Sequence, residues 1–146
     1  MKLSERTQAV LFAAVLLASI SGLWVAVKAM RPSCDAGGTL VTTLQVRGEG
    51  WSDTATVTAH GCTAYDQLES WASSSGTALE SRPFGEPLNA KMVQSIGDDA
   101  NGEGGRFWQF WVNCVYATAG ADLTVLKEGD SVHWLFVPDP WEGPVC

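Results

Sequence analysis

Basic side chains are scarce in this 146-residue chain. Its 9 lysines and arginines stand against 16 aspartates and glutamates, so the formal net charge is −7 and the pI is near 4.6. A protein that binds the phosphates of a nucleic acid needs clustered Lys and Arg. Beyond the N-terminal region the sequence has no such cluster, which excludes DNA and RNA as partners.

Histidine and recognisable catalytic motifs are scarce too. His60 and Cys62 have the spacing of a ligand pair, but the other candidate ligands are scattered singly at Cys34, Cys114, His133 and Cys146, whereas structural zinc needs four ligands at close spacing. No Gly-x-Ser-x-Gly motif is present, and no cysteine is placed beside a histidine that would activate it. The sequence therefore predicts a protein that is not an enzyme and has no resident metal or cofactor.

One loop keeps a calcium site open as the weaker alternative. Residues 98–105 are rich in Gly, Asp and Asn, which favours a flexible hairpin loop. Four side chains there offer oxygen ligands, but their spacing is not that of an EF-hand loop. They are Asp98, Asp99, Asn101 and Glu103.

Charge is absent from one long run near the N-terminus. The 19 residues from Ala9 to Val27 carry none, and two basic residues lie on each side. This length matches the roughly 17 to 25 residues that cross a bilayer and exceeds the roughly 7 to 15 of a signal-peptide core. We predict a cytoplasmic N-terminus over residues 1–8, a transmembrane anchor over 9–30 and a linker over 31–38.

The cysteines indicate on which side of the membrane the rest of the chain lies. The basic residues are balanced and give no orientation. All four cysteines follow the apolar run, and an even number in a small domain is typical of an oxidising space outside the cytoplasm. We predict a single-pass cell-membrane protein with its C-terminal domain outside. Cleavage after Ser21, which follows a small-x-small pattern, would instead give a secreted protein.

A two-residue period of apolar side chains is clearest in two C-terminal segments, Phe107 to Val112 and Val132 to Phe136. Apolar and aromatic residues fall on every second position, which is the period of a strand with one buried face. Residues 127–130, Lys-Glu-Gly-Asp, supply a turn before the second segment. The residues assigned to the core face are Trp108, Phe110, Val112, Val132, Trp134 and Phe136.

The preceding segments predict a hairpin, a helix and two more strands. Residues 39–46 and 54–59 are rich in Thr and Val and are bounded by glycines, which is typical of a hairpin. Thr63 and Asp66 have the spacing of a capping box at the start of a helix. Residues 78–84 and 91–96 are short strands, and Pro83 indicates an edge or a bulge in the first.

This order of elements resembles the β-grasp domain at the C-terminus of transcobalamin and intrinsic factor, and of bacterial surface proteins of the DUF4430 family. The family pattern has Val-Asn-Gly, then Leu-x-x-Gly-Asp-x-Val-x-Trp, and Val112-Asn113 and Leu126 to Trp134 match it. The resemblance covers residues 39–137. It implies an α+β fold with a β-grasp-like mixed sheet and one main helix, preceded here by a single N-terminal transmembrane helix.

One departure from the family pattern concerns the cysteines. Cys114 stands where the family has a glycine, which implies a different turn or a covalent constraint. In a β-grasp sheet the start of the first strand lies beside the end of the second, which would bring Cys34 to Cys62 and leave Cys114 for Cys146. We favour this among the three possible connectivities. The second disulfide would hold the Pro-rich tail, residues 138–146, against the hairpin.

The same alternation places apolar residues on the second face of the sheet, where one helix layer should leave polar ones. Either the tail folds over this face and buries Trp111 under Trp141, or the face is an exposed patch that contacts a ligand or a subunit. The candidate binding residues are Phe107, Trp111, Asn113, His133, Leu135 and Trp141.

Two functions follow from these features. We favour a membrane-tethered, extracytoplasmic, non-catalytic interaction module that binds a partner protein or a neighbouring subunit through its aromatic sheet face. The resemblance implies an alternative, which is binding of cobalamin, another corrinoid or another small ligand. A lone domain of this size encloses a corrinoid poorly, so that role would require a second protein.

Overall fold

A computed structural model of the protein describes residues 5–30, 34, 38–86, 89–139 and 141–146, with the backbone alone at 5, 6, 27, 28 and 30. Parts of the predicted N-terminus, linker and tail, namely residues 1–4, 31–33, 35–37 and 140, lie outside the described residues. The chain divides into two compact units, Met1–Arg31 and Pro32–Cys146.

The first unit is the helix α1, Glu5–Met30. Its segment Thr7–Ala26 has a mean hydropathy of 2.3 and is long and apolar enough to cross a membrane, by length and composition only. A signal sequence has the same properties. Every side chain described in α1 is exposed. The apolar helix and the disulfides described below are consistent with a membrane-anchored or a secreted extracytoplasmic domain.

The second unit contains eight strands, one α-helix and one short 3-10 helix within its described residues. In chain order they are β1 Thr39–Arg47, β2 Ser52–His60, α2 Ala64–Ser75, β3 Leu79–Phe84, β4 Ala90–Ile96, β5 Asp99–Ala100, the 3-10 helix Glu103–Gly105, β6 Phe107–Val112, β7 Val115–Tyr116 and β8 Ser131–Val137.

Five of these strands form a mixed sheet, which we call the main sheet, in the order β2-β1-β8-β6-β7. Strand β1 is antiparallel to β2 and parallel to β8, and β8 is antiparallel to β6. The α+β, β-grasp-like fold predicted from the sequence is therefore confirmed. The remaining strands form a separate small sheet in the order β3-β4-β5, and the two-residue strands β5 and β7 are too short to show alternation.

Helix α2 packs on one face of the main sheet, which we call the inner face. Local sequence signals determine where the helix begins and ends, and its apolar side chains face the sheet. Thr63 and Asp66 form the predicted capping box, and Gly76 ends the helix in a left-handed conformation with φ of 72°. Leu68 and Trp71 are buried within one continuous core cluster. The indole nitrogen of Trp71 donates to Asp53 at 2.8 Å, so this buried ring keeps a polar partner.

The two disulfides join Cys34 to Cys62 and Cys114 to Cys146, with Cα–Cα distances of 5.5 and 6.3 Å. These are the two pairs favoured from the sequence. Cys114 also keeps the backbone geometry of the glycine it replaces, because Asn113 and Cys114 have φ of 48° and 68°. A two-residue hairpin turn of type I′ needs positive φ at both positions. The covalent constraint therefore accompanies the turn and does not replace it.

Residues 98–105, predicted as a flexible hairpin loop, make hydrogen bonds to the rest of the domain. The carboxylate of Asp99 accepts from the Trp51 indole at 2.6 Å and from the backbone N–H of Glu49 at 3.0 Å. Asn101 accepts from the backbone of Trp108 at 2.7 Å. The oxygens proposed as calcium ligands at Asp99 and Asn101 are therefore engaged within the protein.

Candidate ligand-binding cleft and outer sheet face

The outer face is the side of the main sheet opposite α2, and the tail covers part of it. Trp111, Leu135 and Val137 form a second buried cluster there, and Trp111 is 3% exposed. Gly143 of the tail lies so close to Trp111 that a Cβ placed on it would be 3.0 Å from the indole nitrogen. The tail therefore packs directly on this ring.

Trp141 does not cover Trp111, so that part of the expectation is wrong. Its side chain is 90% exposed, and Gly143 takes the covering position. A glycine has no side chain to keep the backbone away from a flat ring. Phe107, 47% exposed, and Asn113 are the other accessible members of the predicted binding set.

The two polar members of that set hydrogen-bond within the sheet. Asn113 donates to the Asp130 carboxylate at 2.8 Å and accepts from the backbone N–H of Ser131 at 2.9 Å, which connects two turns. His133 hydrogen-bonds through Nδ1 to the Gln45 side-chain oxygen at 2.8 Å and through Nε2 to the Ser131 hydroxyl at 3.1 Å. Because the Gln45 oxygen can only accept, Nδ1 carries the proton.

Burial lowers the pKa of His133 below its ordinary value of 6.5. The unfolded chain then binds a proton at a pH where the folded protein does not, so this contribution to stability is complete above pH 6.5 and is lost as the pH falls toward the folded pKa. We expect the unfolding free energy to fall less between pH 7.5 and 5 in His133→Gln than in the wild type. Urea titrations at each pH measure the unfolding free energy. An equal change of that free energy with pH in the two proteins would contradict this role of His133.

An open cleft lies between the small sheet and the main sheet. Its volume is about 510 Å³, and most of its lining is apolar or aromatic. Trp108, Phe110 and Trp134 line it from the main sheet, while residues 90–93 of β4 and the segment 117–121 form its walls. The aromatic rings of β6 and β8 therefore form the floor of the cleft but are themselves largely buried, since Trp108, Phe110 and Trp134 belong to the core cluster.

The walls of the cleft are fixed by packing and by backbone hydrogen bonds. Phe110 and Trp134 stack with ring centroids 4.6 Å apart. The N–H of Ala117 donates to the carbonyl of Phe110 at 3.0 Å, and the N–H of Tyr65 donates to the carbonyl of Ala121 at 3.1 Å. Segment 117–121 is thus tied to both β6 and α2, so the cleft is already formed without a ligand.

Two polar side chains of the cleft are notable. Trp134 is 2% exposed, and its indole nitrogen has no hydrogen-bond partner among the described residues. Lys91 is exposed on β4 and places its ammonium 4.0 Å from the centroid of the Tyr65 ring. The sequence predicted Trp108, Phe110 and Trp134 as core residues only. The cleft depends on how the two sheets and segment 117–121 pack, which leaves no periodic signal.

Two solved structures share this fold. A protein from Ruminococcus gnavus ATCC 29149, described as a candidate metal-binding protein, matches with a TM-score of 0.50 and 15% identity over 66% of this chain and 94% of its own. Haptocorrin in complex with Cbi matches with a TM-score of 0.52 and 18% identity over 72% of this chain and 27% of its own. At these identities the likeness shows the fold alone, and this chain spans about a quarter of haptocorrin.

Metal ligands are not gathered in the described part of the chain, where no three His, Cys, Asp or Glu side chains lie in a group that would hold an ion. No curated protein sequence matches the chain. A family model, Domain of unknown function (DUF4430), matches residues 61–137, which is more than half of the 146 residues. That range begins directly after β2, ends with β8 and includes every described residue that lines the cleft. The chain belongs to the DUF4430 family.

Proposed function

We propose that this protein is a non-catalytic extracytoplasmic binding module, tethered to the membrane by α1, that holds a small ligand with an apolar body in the cleft between β4 and β6. The observation that carries this proposal is the preformed apolar cleft of about 510 Å³. Pockets for small ligands have volumes of roughly 300–1,000 Å³ and are lined mostly by apolar and aromatic side chains with a few polar groups.

Two features support the placement of this module outside the cytoplasm. Both disulfides lie in the second unit, and disulfides persist in oxidising compartments. The apolar helix α1 precedes that unit. We therefore propose that α1 remains as an anchor with the domain on the outer side.

The test of ligand binding uses N-phenylnaphthylamine, an uncharged probe that fluoresces in apolar sites. The domain Pro32–Cys146 suits this experiment, because it has its own core and both disulfides. Without α1 the sample needs no lipid, which would also take up the probe. We expect saturable binding at one site, with energy transfer from the cleft tryptophans, Trp108 and Trp134, to the probe.

A blocking variant locates the binding site. Ala119 is exposed and lines the cleft, so Ala119→Trp should fill part of the cleft and weaken probe binding by about tenfold or more, as the loss of roughly 1.4 kcal/mol does. Thr56→Trp adds the same side chain to an exposed position of β2, away from the cleft, and should bind like the wild type. Equal binding by both variants would contradict the proposed site.

A partner protein or neighbouring subunit is the second candidate, favoured by the exposed aromatics beside the tail-covered outer face. Trp141 and Phe107 are accessible there, whereas Trp111 and Leu135 are buried. Aromatic side chains are frequent anchors at the centres of interfaces. If this candidate is correct, Trp141→Ala should abolish association without changing stability.

The likeness to haptocorrin, which was solved with bound Cbi, makes a corrinoid a candidate ligand for this chain. A corrin macrocycle with its surrounding amide side chains is larger than a cleft of about 510 Å³. Neither histidine is among the described residues that line the cleft, so they offer no imidazole ligand for cobalt. The residues present therefore do not fit an enclosed corrinoid, and binding one would require a second protein to cover it.

A further inference from the structure

The tail is held on the outer face by one covalent bond. The disulfide between Cys114 and Cys146 joins it to the turn that connects β6 and β7. The hydrogen bonds of the tail are local, since the backbone N–H groups of Trp141 and Glu142 both donate to Asp139. Among the described residues, none of its hydrogen bonds reaches the main sheet. Only this disulfide and apolar packing therefore keep the tail in place.

The packing of the tail is confined to a short stretch. Gly143 and Pro144 are half-buried, while the other described tail residues are exposed. Gly143 lies against Trp111, which is 3% exposed and forms the second buried cluster with Leu135 and Val137. Ordering a nine-residue segment costs conformational entropy at every residue, and contacts at two residues offset only part of that cost. Without the disulfide, the tail should leave this cluster.

The two disulfides differ in how accessible they are. Cys114 and Cys146 are both exposed, whereas Cys34 and Cys62 are both half-buried. The carbonyl of Cys62 also accepts from the backbone N–H of Leu126 at 2.7 Å, which ties that cysteine into the domain. Exposed disulfides are the ones that thiols reach and reduce most readily. A reductant should therefore open the tail disulfide first.

We propose that the disulfide between Cys114 and Cys146 is a redox latch. A dithiol reductant opens it, the tail leaves the outer face, and the cluster of Trp111, Leu135 and Val137 becomes exposed. The reduced protein thus presents an apolar surface that the oxidised protein covers. This inference goes beyond the proposed function and does not depend on the cleft.

The reaction is a pair of thiol–disulfide exchanges. One thiolate of the dithiol attacks Sγ of Cys146, which forms a mixed disulfide and releases the Cys114 thiolate. The second thiolate of the dithiol then attacks its own sulfur in the mixed disulfide and releases the Cys146 thiolate. The dithiol leaves as a disulfide, and the protein has gained two electrons and, once both thiolates are protonated, two protons.

Selective reduction is tested on the full chain in detergent micelles. The protein is equilibrated with mixtures of reduced and oxidised dithiothreitol, free thiols are alkylated with iodoacetamide, and peptide mapping identifies the labelled cysteines. We expect half-labelling of Cys114 and Cys146 at a ratio of reduced to oxidised reagent about tenfold lower than Cys34 and Cys62 require. Reduction of both disulfides at the same ratio, or of Cys34–Cys62 first, would overturn the proposal.

Release of the tail is followed by fluorine NMR of the full chain labelled with 5-fluorotryptophan, in which each ring gives its own resonance. Trp111→Phe identifies the resonance of Trp111. Selective reduction should move that resonance toward the position of the free amino acid, while those of the core residues Trp71 and Trp108 stay in place. A Trp111 resonance that does not move when the disulfide opens would show that the tail remains bound, and the latch would be wrong.

A permanently open variant is the control. Replacing both Cys114 and Cys146 by serine should place the Trp111 resonance where the reduced wild type has it, with no further change when dithiothreitol is added. The resonances of Trp71 and Trp108 report that the variant is folded. A Trp111 resonance that still responds to dithiothreitol in this variant would show that the tail disulfide is not the redox-sensitive element.

Discussion

Replacing Trp108 by alanine is expected to lower the unfolding free energy of the domain by about 3–5 kcal/mol, the usual cost of removing a buried tryptophan ring. Trp108 is 7% exposed and lies between Phe136 and Trp51, with ring centroids 5.2 and 6.1 Å away. Its indole also satisfies the carbonyl of Asp99. The substitution therefore removes apolar contacts on two sides and leaves a buried acceptor without its partner.

The control for this experiment is the preceding residue. Phe107→Ala removes an aromatic ring from the same strand, but Phe107 is 47% exposed on the opposite face. Its removal should therefore change the unfolding free energy by no more than about 0.5 kcal/mol. Urea denaturation of the domain, followed by circular dichroism, gives both values. A tolerant Trp108 with a destabilising Phe107 would mean that the two faces of β6 are exchanged.

The features that the sequence predicted correctly are those that near neighbours along the chain determine. Alternation in β6 and β8 identified the core face because a pleated strand repeats every two residues. Thr63 and Asp66 identified the start of α2 because both hydrogen bonds of a capping box form within four residues. The disulfide pairs followed from the resemblance, because in a β-grasp sheet the start of the first strand lies beside the end of the second.

The features that the sequence did not predict depend on contacts between distant segments. The cleft is formed where the small sheet, segment 117–121 and the main sheet meet, and no periodicity in the sequence encodes that arrangement. The tail is a similar case. Its most conspicuous residue, Trp141, is exposed, while Gly143 makes the contact with Trp111. A glycine that matters because it permits close approach looks like any other glycine in the sequence.

The last expected result concerns the tail and the ring beneath it. Trp111→Ala should lower the unfolding free energy by about 3 kcal/mol, because Trp111 is 3% exposed between the tail and Tyr116, whose ring centroid is 5.4 Å away. Replacing Cys114 and Cys146 together by serine opens the disulfide that holds the tail without leaving a free thiol. If the tail stabilises the domain by covering Trp111, the two changes should not be additive.

A double-mutant cycle measures this coupling. The combined loss should be smaller than the sum of the separate losses by about 1 kcal/mol or more, within the usual range for residues in contact. Trp141→Ala is the matched control, because its exposed ring should cost less than about 0.5 kcal/mol and add independently to opening the disulfide. Additive losses for Trp111 would show that the tail does not protect it. A Trp111→Ala protein that stays stable but no longer associates would return the outer face to the role of a partner-binding surface, since only a ring that is free in the isolated domain can lose binding without losing stability.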